Sequence, residues 1–209
     1  RAALGVARIC IENQLTLTLP ALLSAAVESY PEGLLVEGTA AQVYTFLHER
    51  LLGYYQNQGL QHDETDAVLH PQPTSLADAD QRIRAVAEFR KLSDAEALIA
   101  ANKRISNILR QADELPAGAV EPELLREPAE QALAAELEQL TIAAAPLLDD
   151  GNYTEALQRM ATLRAPVDAF FDSVMVMDDD LSLRHNRIRL LAGIQGLFLR
   201  VGDLARLQG

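Results

Sequence analysis

Few side chains in this 209-residue sequence are spaced for covalent chemistry. His62-Asp63 is a His-Asp dipeptide of the kind metal phosphohydrolases use. That chemistry needs several more His and Asp at set helical positions, and His48, His70 and His185 do not supply them. A polar pair opening a helix accounts for the dipeptide as well. The sequence has no glycine-rich phosphate loop and no Gly-x-Ser-x-Gly elbow. Asp149-Asp150 and the run Asp178, Asp179, Asp180 fall at expected helix ends, where a carboxylate complements the helix dipole without any metal. The single cysteine, Cys10, lies among Val6, Ile9 and Ile11 and reads as a small core residue.

The remaining pattern is cationic. Between residues 93 and 111, at about 100° per residue, Leu98, Ala101, Ile105, Ile108, Leu109 and Ala112 share one side of a helix. Lys103, Asn107 and Arg110 fall opposite, with Arg104 on the flank. Cations and an amide in one exposed row could meet phosphates and base edges. A plain solvated helix face has the same pattern.

Charge placement sharpens this reading. The whole chain carries 18 Lys+Arg against 30 Asp+Glu, a formal charge of −12, so bulk charge cannot drive nucleic-acid binding. Residues 81 to 111 nevertheless carry a net of +4, residues 112 to 180 a net of −13, and residues 184 to 206 a net of +4. Two basic helical stretches flank an acidic middle. If they pack side by side, they form one basic face. The second stretch contributes Arg184, Arg189 and Arg200.

Arg187 is different, because it falls on the apolar stripe formed by Leu183, Leu190, Leu191, Ile194, Leu197, Phe198, Val201 and Ala205. A guanidinium in a core needs a partner carboxylate. The preceding segment offers Asp168 and Asp172, so an Arg187–Asp172 ion pair is expected. In the alternative, a small rotation of the helix lets Arg187 snorkel to water.

The elements that must position these residues read as helices. Hydrophobic residues make up 49% and aromatics only 5% with no Trp, so the core is built from Leu, Ile, Val and Ala, and the class is all-α. Disordered, collagen-like and disulfide-scaffold classes are excluded. The uncharged interval from Asn13 to Val27 is too short and too polar to span a bilayer. The chain begins at Arg1 inside an apolar-periodic stretch, as a fragment of a longer polypeptide would. Helical periodicity predicts a first helix around Leu4, Ile9 and Ile11, a second opened by Pro20, and a third from about Thr39 to Gln58 closed by Gly59. A short helix over 62 to 69 precedes the Pro71-Gln72-Pro73 break, which divides a helical body region, 1–72, from a helical bundle, 73–209. Ser75 caps the next helix, and Ser93 with Glu96 forms a capping box for the one after. Asp113 to Pro128 reads as an irregular connection. Three long helices follow, over about 128 to 149, 152 to 173 and 181 to 206.

With these blocks in view the sequence resembles a known family. Ala101-Asn102-Lys103-Arg104-Ile105-Ser106-Asn107-Ile108-Leu109 is similar to the helix signature of the DALR-type anticodon-binding domain of aminoacyl-tRNA synthetases. Ala169-Phe170-Phe171-Asp172-Ser173-Val174-Met175-Val176-Met177 and Leu183-Arg184-His185-Asn186-Arg187-Ile188-Arg189-Leu190-Leu191 resemble the same domain further on. The opening Arg1-Ala2-Ala3-Leu4-Gly5-Val6-Ala7-Arg8-Ile9 and the closing Phe198-Leu199-Arg200-Val201-Gly202-Asp203-Leu204 are similar to the beta subunit of bacterial glycyl-tRNA synthetase. Gly202 stands where the motif more often has alanine, and the name-giving Asp-Ala-Leu-Arg string is not intact.

The resemblance implies a helical bundle that receives the anticodon arm of the glycine tRNA. It implies a cytoplasmic partnership with a separate alpha subunit, usually α2β2, which would use ATP and magnesium for glycine activation. This stretch would then hold no cofactor and no catalytic residue of its own. Lys103, Arg104, Asn107, Arg110, Arg184, Arg189 and Arg200 become the expected RNA-binding residues. The alternative is a non-enzymatic helical scaffold for subunit association.

Overall fold

Helices fill the computed structural model, which describes residues 2–112 and 115–208. Among the described residues the elements are α1 (Ala2–Glu12), α2 (Leu19–Glu28), α3 (Thr39–Gln56), α4 (His62–Leu69), α5 (Leu76–Phe89), α6 (Ala95–Gln111), α7 (Pro128–Asp149), α8 (Tyr153–Met160), α9 (Arg164–Ser173) and α10 (Leu181–Leu199). Short 3-10 turns occupy Pro122–Leu124, Ala161–Leu163 and Leu204–Arg206. The class is all-α, as expected from Leu- and Ala-rich periodic segments. Asp113 and Glu114, which open the expected irregular connection, lie outside the described residues, as do Arg1 and Gly209. From Leu115 to Glu127 the path is irregular, with one 3-10 turn.

Local chemistry explains most of the helix ends. Pro20 sits in the first turn of α2, where its missing N–H costs nothing. The hydroxyl of Ser75 accepts the amide of Asp78 at 3.3 Å and caps α5. At α10 the Asp180 carboxylate accepts the amide of Ser182 at 2.8 Å. The expected Ser93 capping box is not formed. Asp94 is the N-cap of α6 and makes no side-chain cap, because its carboxylate is drawn out to Arg164 at 2.8 Å.

Two long helices expected from periodicity are interrupted. The 152–173 segment divides into α8, a 3-10 turn and α9. Pro166 lies in the first turn of α9, where its ring conflicts with a preceding α-helical carbonyl, and the tighter turn relieves it. The last helix stops at Leu199, not 206, because the chain turns to dock on α4. There the amide of Asp203 donates to the carbonyl of Ala67 at 2.8 Å. Gly202 is buried at that crossing, and a Cβ there would lie 3.2 Å from the Ala67 carbonyl oxygen.

The core is one connected cluster running from Ala7 to Leu207, and it is continuous across residues 72 and 73. α5 packs on α1, α4 and α8, whereas α7 packs on α8, α9 and α10. Phe89, Phe170 and Phe198 are almost completely buried, each contributing about 1.5–3 kcal/mol. α10 runs through the middle and buries residues on nearly every side, including Asn186 and Arg187. α6 lies against α10, α9 and the final 3-10 turn, and this places its polar row at the surface.

Candidate nucleic-acid interface

The two basic stretches meet, since α6 packs directly against α10. On α6 the buried face is Leu98, Ile99, Ala101, Asn102, Ile105 and Leu109, so Lys103, Arg104, Asn107 and Arg110 point outward. Lys103 and Arg110 are seven residues apart, about 10 Å along the helix at 1.5 Å per residue. The Arg104 guanidinium lies 4.0 Å over the ring centroid of Phe171 on α9. That cation–π contact holds the guanidinium at the Phe171 ring. Arg110 donates to the side-chain oxygen of Asn107, which leaves the Asn107 amide N–H groups to face outward. None of Lys103, Arg104 and Arg110 forms an ion pair with a described carboxylate.

The α10 arginines do not form a continuous rail beside that row. At about 100° per residue, Arg184 is displaced by roughly 140–160° from Arg189 and Arg200 around the helix. Arg184 faces the end of α6, and its Nε donates to the carbonyl of Asp178 at 2.8 Å. Arg189 turns to the 117–121 segment, pairing with Glu121 at 2.6 Å and donating to the carbonyl of Ala117 at 3.0 Å. Arg200 pairs with Asp149 at the end of α7 at 2.6 Å. Other cations of the basic stretches are also taken up internally: Arg82 by Asp78, Arg84 by Asp80, and Arg206 by Asp66. Net charge along the sequence therefore overstates the free basic surface: within the two basic stretches, Lys103, Arg104, Arg110 and Arg184 are the cations with no ion pair to a described carboxylate.

Arg187 is buried at 4% exposure and ion-paired, but its partner is not Asp172. Asp172 is exposed near the end of α9, and Asp168 pairs with Arg164 at 3.5 Å. The Arg187 guanidinium reaches Glu130 on α7 and Asp178 in the α9–α10 connection, the latter at 2.7 Å. It also donates to the carbonyl of Met175 at 2.9 Å. The sequence spacing suggested a carboxylate one helix back. The fold supplies Glu130 instead because α7 packs on α10, and such a long-range contact leaves no local signature. Burial disfavours the guanidinium charge, but Glu130 and Asp178 outweigh it and hold Arg187 above its ordinary range. The Asp178 carboxyl is held below the usual carboxylate range by the Asp180 amide and then by Arg187.

Three further polar residues hold the surrounding fold, and two of them, Asn186 and Glu130, carry no obvious sequence signal. Asn186 is fully buried and clamps the backbone of Glu121 at two points, accepting its N–H at 2.7 Å and donating to its carbonyl at 2.9 Å. Glu130 closes a capping box at the start of α7, accepting the Glu127 amide at 2.7 Å, besides binding Arg187. Both carboxylate oxygens of Asp63 accept from Nη1 of Arg90 at 2.9 Å, and Asp63 also accepts the amide of Gln208 at 2.6 Å. Asp63 of the His62-Asp63 dipeptide thus binds Arg90 and the backbone of Gln208. Among the described residues, no three His, Cys, Asp or Glu side chains are gathered to hold a metal ion. No helix among them is long and apolar enough to cross a membrane.

A helical bundle with a basic row on its α6 face fits the class of anticodon-binding domains, and comparison with known proteins agrees. Residues 98–201 match the DALR anticodon binding domain, a span that holds most of α6 and all of α7 to α10. Residues 1–70 match the glycyl-tRNA synthetase beta subunit. Over the whole chain it is 49% identical to the glycine–tRNA ligase beta subunit of Shewanella halifaxensis (strain HAW-EB4). It is 48% identical to that of Vibrio atlanticus (strain LGP32) and 46% to that of Aliivibrio fischeri (strain MJ11). The chain belongs to the glycyl-tRNA synthetase beta subunit family. It spans 30% of the length of each of these relatives.

Proposed function

We propose that this chain is the anticodon-arm docking part of a glycine–tRNA ligase beta subunit. It would support ATP-dependent glycylation of the glycine tRNA carried out with an alpha subunit in the cytoplasm. In this reading the bundle from residue 73 to 209 meets the RNA and residues 1–72 form the helical body region. The observation that carries the proposal is the row Lys103, Arg104, Asn107 and Arg110. It lies on a helix matched to the anticodon-binding family and is not neutralised by any described carboxylate. Lys103, Arg104 and Arg110 would neutralise phosphates, and Asn107 would offer its N–H groups to a base edge. Arg184 extends the row at the α6–α10 junction. Arg189 and Arg200 would reach phosphate only by exchanging Glu121 and Asp149 for it.

ATP and magnesium belong to the alpha subunit in this proposal. An α2β2 assembly is its quaternary form. Val6, Ile9, Leu34 and Val36 are exposed apolar side chains in the first third of the chain, where the alpha subunit would be met in this reading. The test is charge reversal of Lys103, Arg104 and Arg110 together. Affinity for the glycine tRNA should fall, and the slope of log affinity against log salt should flatten by roughly 0.7–0.9 for each phosphate that is no longer neutralised. Unchanged affinity and unchanged aminoacylation with the alpha subunit at moderate salt would reject the assignment.

A further inference from the structure

We infer that Phe171 on α9 is a positioning residue that holds Arg104 ready for an RNA phosphate, an inference that rests on the anticodon-arm reading above. The central carbon of the Arg104 guanidinium lies 4.0 Å over the Phe171 ring centroid. The other arginine–ring contacts among the described residues are longer, at 4.9 Å for Arg50 over Phe46 and 5.1 Å for Arg82 over Tyr153. Phe171 is itself well supported. Its ring meets that of Phe170 edge to face, with centroids 5.5 Å apart and planes at 70°, and Phe170 is wholly buried in the core. Because α9 packs on α6, a neighbouring helix supplies the ring, 67 residues away in sequence.

The means of holding distinguishes Arg104 from other arginines of the basic stretches. Arg189 and Arg200 are held by the carboxylates of Glu121 and Asp149, and Arg82 by that of Asp78. A phosphate must displace those groups before it can bind. A ring face instead attracts the cation through its quadrupole and leaves the positive charge in place. Arg104 makes no hydrogen bond to another described residue, so the five N–H donors of its guanidinium stay open. Asp172 is exposed and directly follows Phe171, yet Arg104 forms no ion pair with it. An arginine that waved freely in water would have to be ordered on binding, which typically weakens affinity by about 2- to 10-fold. The ring meets most of that cost in advance.

The test alters the electrons of the ring and keeps its shape. Trifluorophenylalanine at position 171 withdraws charge from the ring face while leaving an aromatic ring in the same packing. The unmodified chain, Phe171→trifluorophenylalanine, Phe171→Leu and Phe171→Tyr are titrated with the glycine tRNA by filter binding, each with and without Arg104→Gln. The fluorinated and leucine variants should bind about 2- to 5-fold more weakly when Arg104 is present. In the Arg104→Gln background the same changes should shift affinity by less than about 1.5-fold, and Phe171→Tyr should stay within about 1.5-fold throughout. Should Phe171→Leu lose helical signal, the fluorinated variant decides alone. Equal losses with and without Arg104 would mean that the ring serves only the fold, and would overturn the inference. So would unchanged or tighter binding on fluorination, or an Arg104→Gln change that leaves affinity intact. If Lys103→Glu still weakens binding in those cases, the docking function stands and only the role of Phe171 falls. Absence of any binding by the unmodified chain at low salt would remove both.

Discussion

Replacing Arg187 with methionine leaves the Glu130 carboxylate in a site with 0% exposure and no cation. Removing one member of a buried ion pair typically costs about 3–5 kcal/mol, chiefly through the stranded charge. For a chain of this length about 2–4 °C is lost per kcal/mol, so the unfolding midpoint should drop by ~6–20 °C. The companion change Glu130→Gln can retain an oxygen for the Glu127 amide while removing the charge. The double variant should therefore recover at least half of the loss, and the double-mutant cycle should show strong coupling. Urea denaturation followed by helical circular dichroism measures all four proteins. A single Arg187→Met variant that loses less than about 1 kcal/mol, or a cycle that is additive, would refute the claim that this trio ties α7 to α10.

Other perturbations separate the cations proposed to meet RNA from those the fold uses. Arg200→Gln should change tRNA affinity by less than about twofold, whereas Lys103→Glu should weaken it and flatten its salt dependence, both read by filter binding. Burial alone would raise the Asp63 carboxyl, but the Gln208 amide and Arg90 hold it below its ordinary value of 3.8. A depressed carboxylate stabilises the fold above its unfolded value and loses that contribution as pH falls through the folded one. Asp63→Asn should therefore lower the midpoint at pH 7 and converge with the unmodified chain in acid below about pH 3.8, tested by thermal melts across pH. Gly202→Val must push the last turn away from the Ala67 carbonyl. A cost of about 1–3 kcal/mol in urea unfolding is expected, and a neutral result would mean the crossing is looser than its geometry.

The all-helical class and most helix positions were legible because they depend on local patterns. Pro20, Ser75 and Asp180 act within one turn of themselves, and the apolar stripe of α6 needs only its own periodicity. The exposed row Lys103–Arg110 was legible for the same reason, as the complement of that stripe. Partners across the fold were not. That Arg187 would be buried and paired followed from its place on an apolar stripe, but Glu130, 57 residues away, could not be chosen over Asp172 without knowing that α7 packs on α10. The same blindness made Arg189 and Arg200 look equivalent to Arg184, although Glu121 and Asp149 engage only the first two. Asn186 gave no sign at all, because an asparagine that binds loop backbone looks like any other polar residue on a helix.

The stitching of the terminal segment onto α4 through Asp63, Arg90, Gln208 and the Ala67–Asp203 hydrogen bond makes the span resembling an anticodon-binding domain unsuited to excision. Cutting the chain at residues 98 and 201 would strip away α4 and α5 and lay bare the apolar side chains they now cover. The boundary drawn by family likeness therefore falls inside the one continuous apolar core. A disturbance at the far end of α10 is thereby passed to α4 in the first third of the chain, so RNA docked on the bundle as proposed would bear on that helix as well.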